Sequence, residues 1–575
     1  MMQRECGFWK RIEGLLLVGV GLVSVLAMLK TIFFSMDIDE SYAISQAYRL
    51  LKGDRLIFDM WEPHQFSAYP AAVLMKLFAI VTGGMDSVVI YLRICGTLIH
   101  LGLAYGLYRV IRNWVPARAA YWVVFVHINF LAKWIQTPEF ELMQYWLLLL
   151  TALCLISYFQ KGKGTLLLII SGVAMMLQLL NYPTMVLLYP FYMLGVGRIQ
   201  CDAKVKLRAG VVTTVSAGVS GLGVMTYLFA GHSLEEIRTN IGYILSDPSH
   251  TENSLLKRMG GFAEELLADG LTLGAVIAGA FVLAVLCHRI FRKDLPSRQR
   301  LFIQTGLLAI TGLCIAQVFG CLLQDQNQFY LQERYLFTAL FGMAVYGMQR
   351  EKKPILRLLF WFGSIPALIS VIASALLTNM TLSVSYTRFF PGCIAAFLML
   401  IVCYDEQERT QLYWPVAAFL MSLLVCKLVL IRVTGCLPVT MNARMTRVQS
   451  GPLRGVTMLT DFAAAYEANQ ALLQEYVSES DNLFLFSCES LQYVGSGANV
   501  AAASVQGTSV FNETFLEYFE LHPEKYPTVI AVDKLFPAVQ EYHYHPYNYI
   551  VSDWIRQEYV YSQKIETEYM TLYIQ

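Results

Sequence analysis

The chain has 575 residues, 56% hydrophobic and only 15% charged, with a formal net charge of +1 and a mean hydropathy of +0.50. Soluble globular chains are about a quarter charged, and 33 Phe, 33 Tyr and 9 Trp exclude a disordered or fibrous polymer. What remains is a polytopic membrane protein. A net charge near zero, with no basic patch carrying interleaved aromatics, argues against a nucleic-acid partner. The 12 Cys lie mostly within apolar runs, without C-x-x-C or zinc-ligand spacing. Only Cys436 and Cys488 share the polar C-terminal region, and their spacing leaves a disulfide open.

Crossing about 30 Å of hydrocarbon takes roughly 20 apolar residues in a helix. Such runs fall at 14–34, 88–110, 117–134, 142–159, 165–180, 184–197, 209–230, 271–287, 301–323, 335–348, 356–377, 389–403 and 414–433. The sequence thus predicts about 13 spans, the first an uncleaved one because no small-x-small cleavage site follows it. Basic residues set the sidedness. Lys10 and Arg11, then Arg109 to Arg118, Lys161 and Lys163, Lys204 to Arg208, Arg289 to Arg300 and Arg350 to Arg357 share one side if the N-terminus is cytoplasmic. The expected location is a cell membrane, with residues 1–434 as the transmembrane region and 435–575 outside as a small α/β domain.

The outer side holds the polar matter. A first loop at 35–87 opens with Asp37-Ile38-Asp39-Glu40 and continues through an amphipathic pattern at 41–52. A second apolar stretch, 68–81, is short and contains Pro70, which places it along the outer interface. Residues 231–269 repeat a charged helical pattern. No internal repeat appears, which weakens transporter architectures built from paired halves. In the tail, 482–488 and 528–533 read as strands and 459–476 and 514–521 as helices. Gly495-Ser496-Gly497 lacks a full phosphate-loop pattern and reads as a turn. His543-Tyr544-His545-Pro546 has no evident third ligand and reads as a surface loop.

Carboxylates emerging from a span are easily solvated, so Asp37, Asp39 and Glu40 by themselves read as a span terminator. The long, semi-apolar loop after them changes the weighing, because partial burial among like charges raises a carboxylate pKa towards that of a general base. Met36-Asp37-Ile38-Asp39-Glu40-Ser41-Tyr42-Ala43, placed directly after span 1, resembles the Asp-Glu signature of the GT-C membrane glycosyltransferases. That superfamily includes the protein O-mannosyltransferases and the bacterial aminoarabinose transferase of lipid A. Glu62-Pro63-His64, Lys76-Leu77-Phe78 and Tyr91-Leu92-Arg93 are similar to the family's passage into the second span. The resemblance covers about the first hundred residues, and the rest by topology alone.

The resemblance implies transfer of a sugar from a polyprenyl-phosphate donor to an extracytoplasmic acceptor by inverting displacement. It maps the base onto Asp39, with Glu40 as a supporting carboxylate. His64 departs from the family, being followed by Gln65 and Phe66 rather than Pro-Pro, and its alternative is a hydrogen-bonded loop residue. A lipid-phosphate leaving group needs positive charge at the outer interface, and arginine offers a fork that stays charged. Arg334 is the first candidate, at a span's start beside a polar run. Arg388, Lys133 and Arg93 follow, and snorkelling to water is the alternative for each. Glu139 and Glu141 are candidates for sugar hydroxyls or a divalent cation, against an ordinary helix start after Pro138. Oxygen ligands suit magnesium or manganese rather than zinc, and no metal is assigned. The expected partners are the sugar donor, the acceptor and membrane lipid. A flippase or transporter of lipid-linked glycans, or a membrane scaffold, is the competing reading.

Overall fold

The computed structural model describes residues 2–62, 64–130, 135–245, 254–290, 297–323, 333–349, 353–378, 380–403, 406–430, 444–487, 489–505, 514–534 and 548–575. Lys133, Cys436, Cys488 and the run 543–546 fall outside these ranges.

Apolar runs become helices because lipid offers the backbone no hydrogen-bond partner, so every peptide group must be satisfied within its segment. The first is α1 (Met2–Thr31), followed across a sharp turn by α2 (Ile38–Leu51) and then by α3 (Ala68–Thr82). Next come α4 (Val88–Ile111), α5 (Ala117–Asn129), α6 (Phe140–Lys161), α7 (Thr165–Asn181), α8 (Leu188–Arg198) and α9 (Ala203–Phe229). The outer segment holds α10 (Leu234–Leu245) and the start of α11 (Leu255–Ile290). Then follow α12 (Arg298–Leu323), α13 (Glu333–Gln349), α14 (Pro354–Leu359) and, after one π turn, α15 (Ile365–Leu377). A short α16 (Leu382–Ser385), α17 (Phe390–Cys403) and α18 (Glu406–Leu430) complete this part. Twelve of the 13 predicted spans each overlap one of these helices, and 356–377 covers α14, the π turn and α15. Among the described residues nine helices are long and apolar enough to cross a membrane, with shorter apolar ones at Thr165–Asn181 and Trp414–Val429. Gln65–Thr82 is one of the nine by length and composition, longer than the interfacial stretch expected there.

The tail begins with a hairpin, β1 (Met445–Arg447) and β2 (Thr457–Leu459), and continues into α19 (Thr460–Tyr476). β3 (Asn482–Phe486), α20 (Leu491–Ser496), β4 (Asn499–Val500), α21 (Thr514–Leu521) and β5 (Val529–Asp533) follow, then α22 (Asn548–Gln557), β6 (Gln563–Glu566) and β7 (Met570–Ile574). The five-stranded order is β4-β3-β5-β7-β6, with β3 parallel to β4 and β5, and β7 antiparallel to β5 and β6. Gly497, at φ +77°, ends α20 in the left-handed region open to glycine at little cost. The Gly495-Ser496-Gly497 run is therefore a helix end and turn. The molecule is a polytopic helical membrane protein with a C-terminal α/β region.

The tail is fastened to the segment between α1 and α4. Arg49 and Glu62 are both wholly buried. The Arg49 guanidinium donates to Asp54 (2.7 Å), to the Ala503 carbonyl (3.3 Å) and, at 3.5 Å, to Glu62. Glu62 also accepts from Gln46 (2.5 Å) and from the Val505 backbone N–H. The Tyr48 hydroxyl donates to the Ala498 carbonyl at 2.9 Å, and Tyr518 to the Asp59 carbonyl at 2.9 Å. Buried charges persist only where paired and hydrogen-bonded, so loop and tail must order together.

Just before α20, Glu489 accepts the Leu491 N–H at 2.9 Å. Burial pushes its pKa from the ordinary 4.5 to about 8, opposed by the Leu491 N–H and aided by the negative charges of Asp533 and Glu40. Between pH 4.5 and about 8 the folded tail holds a proton that the unfolded chain has lost, so its stability falls as pH rises through that window. Proteolysis of the tail should accelerate across it in the wild type, and Glu489→Gln should flatten the dependence. An unchanged slope in that variant would assign the effect to another group.

Candidate active site at the outer face

The sequence places a polar turn directly after an apolar span, and the structure shows what shapes it. Asp37 is the N-cap of α2, its carboxylate accepting the Asp39 N–H at 2.9 Å. Backbone bonds to the tail hairpin fix the approach: Ser35 N–H donates to the Thr457 carbonyl (2.7 Å) and Thr457 N–H to that of Phe33 (2.8 Å). Glu40 is buried and meets Arg93 in a two-pronged pair, at 2.7 Å from Nε and 2.5 Å from Nη2. The Thr137 hydroxyl donates to the same carboxylate. Arg93 Nη1 also donates to the carbonyls of Thr31 (3.2 Å), Ile32 (3.2 Å) and Phe34 (3.3 Å), and Nη2 to that of Ser35 (2.6 Å). Carbonyls at a helix end lack intrahelical partners, and one guanidinium from α4 supplies them. Glu40 and Arg93 are thus brought together as a clamp under Asp39, which stays half-buried.

A recess lies beside that turn. Glu139 caps α6, its carboxylate accepting from Leu142 (2.7 Å) and Glu141 (2.9 Å) N–H groups. This is the helix-start geometry expected after Pro138. Arg388 is buried, its guanidinium 4.8 Å from the Tyr182 ring centre and its Nη2 3.9 Å from Glu141 Oε1. None of its three nitrogens has a hydrogen-bond partner among the described residues. Gln144 Nε2, Asn181 Oδ1 and the Tyr182 hydroxyl are buried there and likewise lack hydrogen-bond partners among the described residues, as does Thr184 Oγ1 two residues further on. Glu141, Gln144, Tyr145, Thr387, Arg388 and Pro391 line a narrow cavity of about 10 Å³. Burial holds the Tyr182 phenol far above its ordinary pKa; Arg388 opposes this, while Glu141, Glu139 and Asp39 add to it. One phenol therefore feels all four charged groups. His64 stacks on Phe140 (4.7 Å) and meets the Tyr182 ring at a tilt of 50° (4.0 Å), with Nδ1 3.1 Å from the Asn181 carbonyl.

The other cation candidates sit differently. Arg334 is buried among α12, α13 and α18, donating to Gln317, to Cys426 Sγ (3.0 Å) and to the Tyr335 hydroxyl (2.9 Å), with the Phe130 ring 5.3 Å away. Its guanidinium turns into the helix bundle rather than towards an outer opening, because the side chain leaving the first turn of α13 finds acceptors there. Among the described residues no group of three or more His, Cys, Asp or Glu is placed to hold a metal. Sequence reading missed Gln144, Tyr182 and Thr184. The one available signal was Asn181-Tyr182-Pro183, a polar break between two apolar runs.

No family model matches the chain, and no curated protein matches it. Among solved structures the chain is similar to the archaeal oligosaccharyltransferase AglB from Archaeoglobus fulgidus, in complex with an inhibitory peptide and a dolichol-phosphate. Identity is 14%, over 90% of this chain and 70% of that one, with a TM-score of 0.45. It is also similar to ArnT from Cupriavidus metallidurans bound to undecaprenyl phosphate, with 10% identity over 97% of each chain and a TM-score of 0.45. Identity this low transfers no residue role.

Removing one partner of a buried ion pair typically costs about 3–5 kcal/mol. Glu40→Gln should therefore lower the thermal midpoint of the purified protein substantially, whereas Asp37→Asn, which keeps a good N-cap, should hardly move it. Equal midpoints for the two variants would remove the clamp from the account.

Proposed function

We propose that the chain is a GT-C-type glycosyltransferase, moving a sugar from a polyprenyl-phosphate donor to an acceptor outside the cytoplasm. The observation that carries this reading is Arg388. A buried guanidinium whose three nitrogens lack hydrogen-bond partners among the described residues, with only a 3.9 Å contact to Glu141, is costly unless a ligand completes it, and a planar fork of donors suits a phosphate. Gln144 Nε2 and the Tyr182 hydroxyl add donors without a hydrogen-bond partner near it. In this reading Arg388, not Arg334, receives the donor phosphate, and Arg93 positions the turn. His64 and Glu139 shape the wall between Asp39 and Arg388, and Glu141 faces the sugar.

The acceptor O–H gives its proton to the Asp39 carboxylate while its oxygen bonds to the sugar's anomeric carbon. On the opposite side the bond from that carbon to the phosphate oxygen breaks, inverting the centre. The departing polyprenyl phosphate gains negative charge where Arg388 stands, so the same contact strengthens in the transition state. The transmembrane region 1–434 then carries the chemistry, and 435–575, fastened to the first outer loop, lies outside. A divalent cation is not required by this reading and is not assigned.

Asp39→Asn should keep donor binding but lower transfer about 10²–10⁴-fold, the usual worth of general-base assistance. Near-normal transfer would end that assignment. Arg388→Ala should weaken both donor binding and turnover, with Arg388→Lys intermediate, measured with polyprenyl-phosphate sugar on reconstituted protein. Arg334→Ala is the comparison: a loss of donor binding there, with Arg388→Ala unaffected, would reverse the assignment. Cysteine at exposed Ser562 should react with an impermeant label on intact cells, and a cysteine at Lys353 should not. Labelling of the second alone would place the tail inside and contradict the orientation.

A further inference from the structure

His64 stands in the left-handed region, at φ +58° and ψ +12°. A residue other than glycine persists there only where its surroundings fix it, and such strain gathers at functional sites. The His64 carbonyl is held by the Ser67 N–H (3.0 Å) and hydroxyl (2.8 Å). Its imidazole is held from the other side. The Asn181 carbonyl can only accept, so Nδ1, 3.1 Å away, carries the proton. Asn181 is the last residue of α7, where a carbonyl lacks an intrahelical partner. The ring lies 13° from parallel to that of Phe140, the first residue of α6. Asn181 Nδ2 closes the same joint by donating to the Phe140 carbonyl at 2.6 Å. One side chain from the first loop thus ties the end of α7 to the start of α6.

Arg388 depends on that joint. Among the described residues its guanidinium has no hydrogen-bond partner, and what it meets is the Tyr182 ring at 4.8 Å and Glu141 at 3.9 Å. The buried Tyr182 ring is met in turn by His64 at 4.0 Å. With contacts this few, the plane of the guanidinium follows the Tyr182 ring, and the ring follows His64. A planar fork grips a phosphate with two prongs, and its affinity gains when that plane is set before the ligand arrives. We propose that His64 is a positioning residue for the donor: its imidazole holds the Tyr182 ring against Arg388, so that the guanidinium meets the phosphate preorganised. This rests on the reading of Arg388 as the group that receives the phosphate. The strained backbone then has a use, since it aims one ring at Tyr182, Phe140 and the Asn181 carbonyl together.

His64→Asn separates the ring from the scaffold. Asparagine tolerates the left-handed region. Its Nδ2, bonded to Cγ as Nδ1 is in histidine, keeps a donor for the Asn181 carbonyl while the stack is lost. His64→Gly fits the same backbone with neither, and serves if the first variant folds poorly. Affinity for undecaprenyl phosphate, measured on the reconstituted full chain, should fall about three- to tenfold in both, the scale of one aromatic contact. In an Arg388→Lys background, His64→Asn should change that affinity less than about twofold, because a residue acting through Arg388 is coupled to it. A purely structural role would instead lower the thermal midpoint and leave the affinity of the folded protein unchanged. Wild-type affinity in both His64 variants, or the same fold-loss with Lys at 388 as with Arg, would overturn the proposal and leave Arg388 as the phosphate ligand. Wild-type affinity in Arg388→Ala would overturn the reading on which it rests.

Discussion

One guanidinium sets the turn between the first two helices of this protein. Arg93 reaches from α4 to the carbonyls of Thr31, Ile32, Phe34 and Ser35 and holds Glu40 in a two-pronged pair. Without it, the end of α1 would present unpaired carbonyls and Glu40 would be an uncompensated buried charge. With it, the chain turns sharply, α2 starts at its Asp37 cap, and Asp39 is left half-buried beside the recess. Two of the three neighbouring acids have distinct tasks in that geometry: Asp37 caps α2 and Glu40 pairs with Arg93.

The tail belongs to the same construction. Its hairpin bonds directly to Phe33 and Ser35, and the polar knot around Arg49 and Glu62 ties Ala498, Ala503, Val505 and Tyr518 to the first loop. Buried charge makes such a joint specific rather than strong, because the pairing is satisfied in one arrangement only. The tail therefore influences the site through the position of the Asp39 turn.

Much of this was legible in the sequence. Helical spans are legible because lipid leaves the backbone few alternatives, and the predicted runs met helices throughout. In the tail, 460–476 and 514–521 are helices and 482–486 and 529–533 are strands, close to the ranges expected. β6 and β7 escaped notice, since Gln563, Lys564 and Glu566 make an edge strand without an apolar run. For the site, Asp39 and Glu40 were marked by their place after span 1. Their differing roles were hidden because Glu40's partner lies 53 residues away. Arg334 and Arg388 looked alike as boundary arginines. Only packing separates them, giving Arg334 hydrogen-bond acceptors inside the bundle and leaving Arg388, among the described residues, with only the Glu141 carboxylate at 3.9 Å.

The most direct test is an experimental map of the protein with a bound polyprenyl-phosphate sugar. The phosphate should lie within hydrogen-bonding distance of the Arg388 guanidinium, with the anomeric carbon facing Asp39. A phosphate bound at Arg334, or one on the far side of Tyr182 from Asp39, would contradict the account.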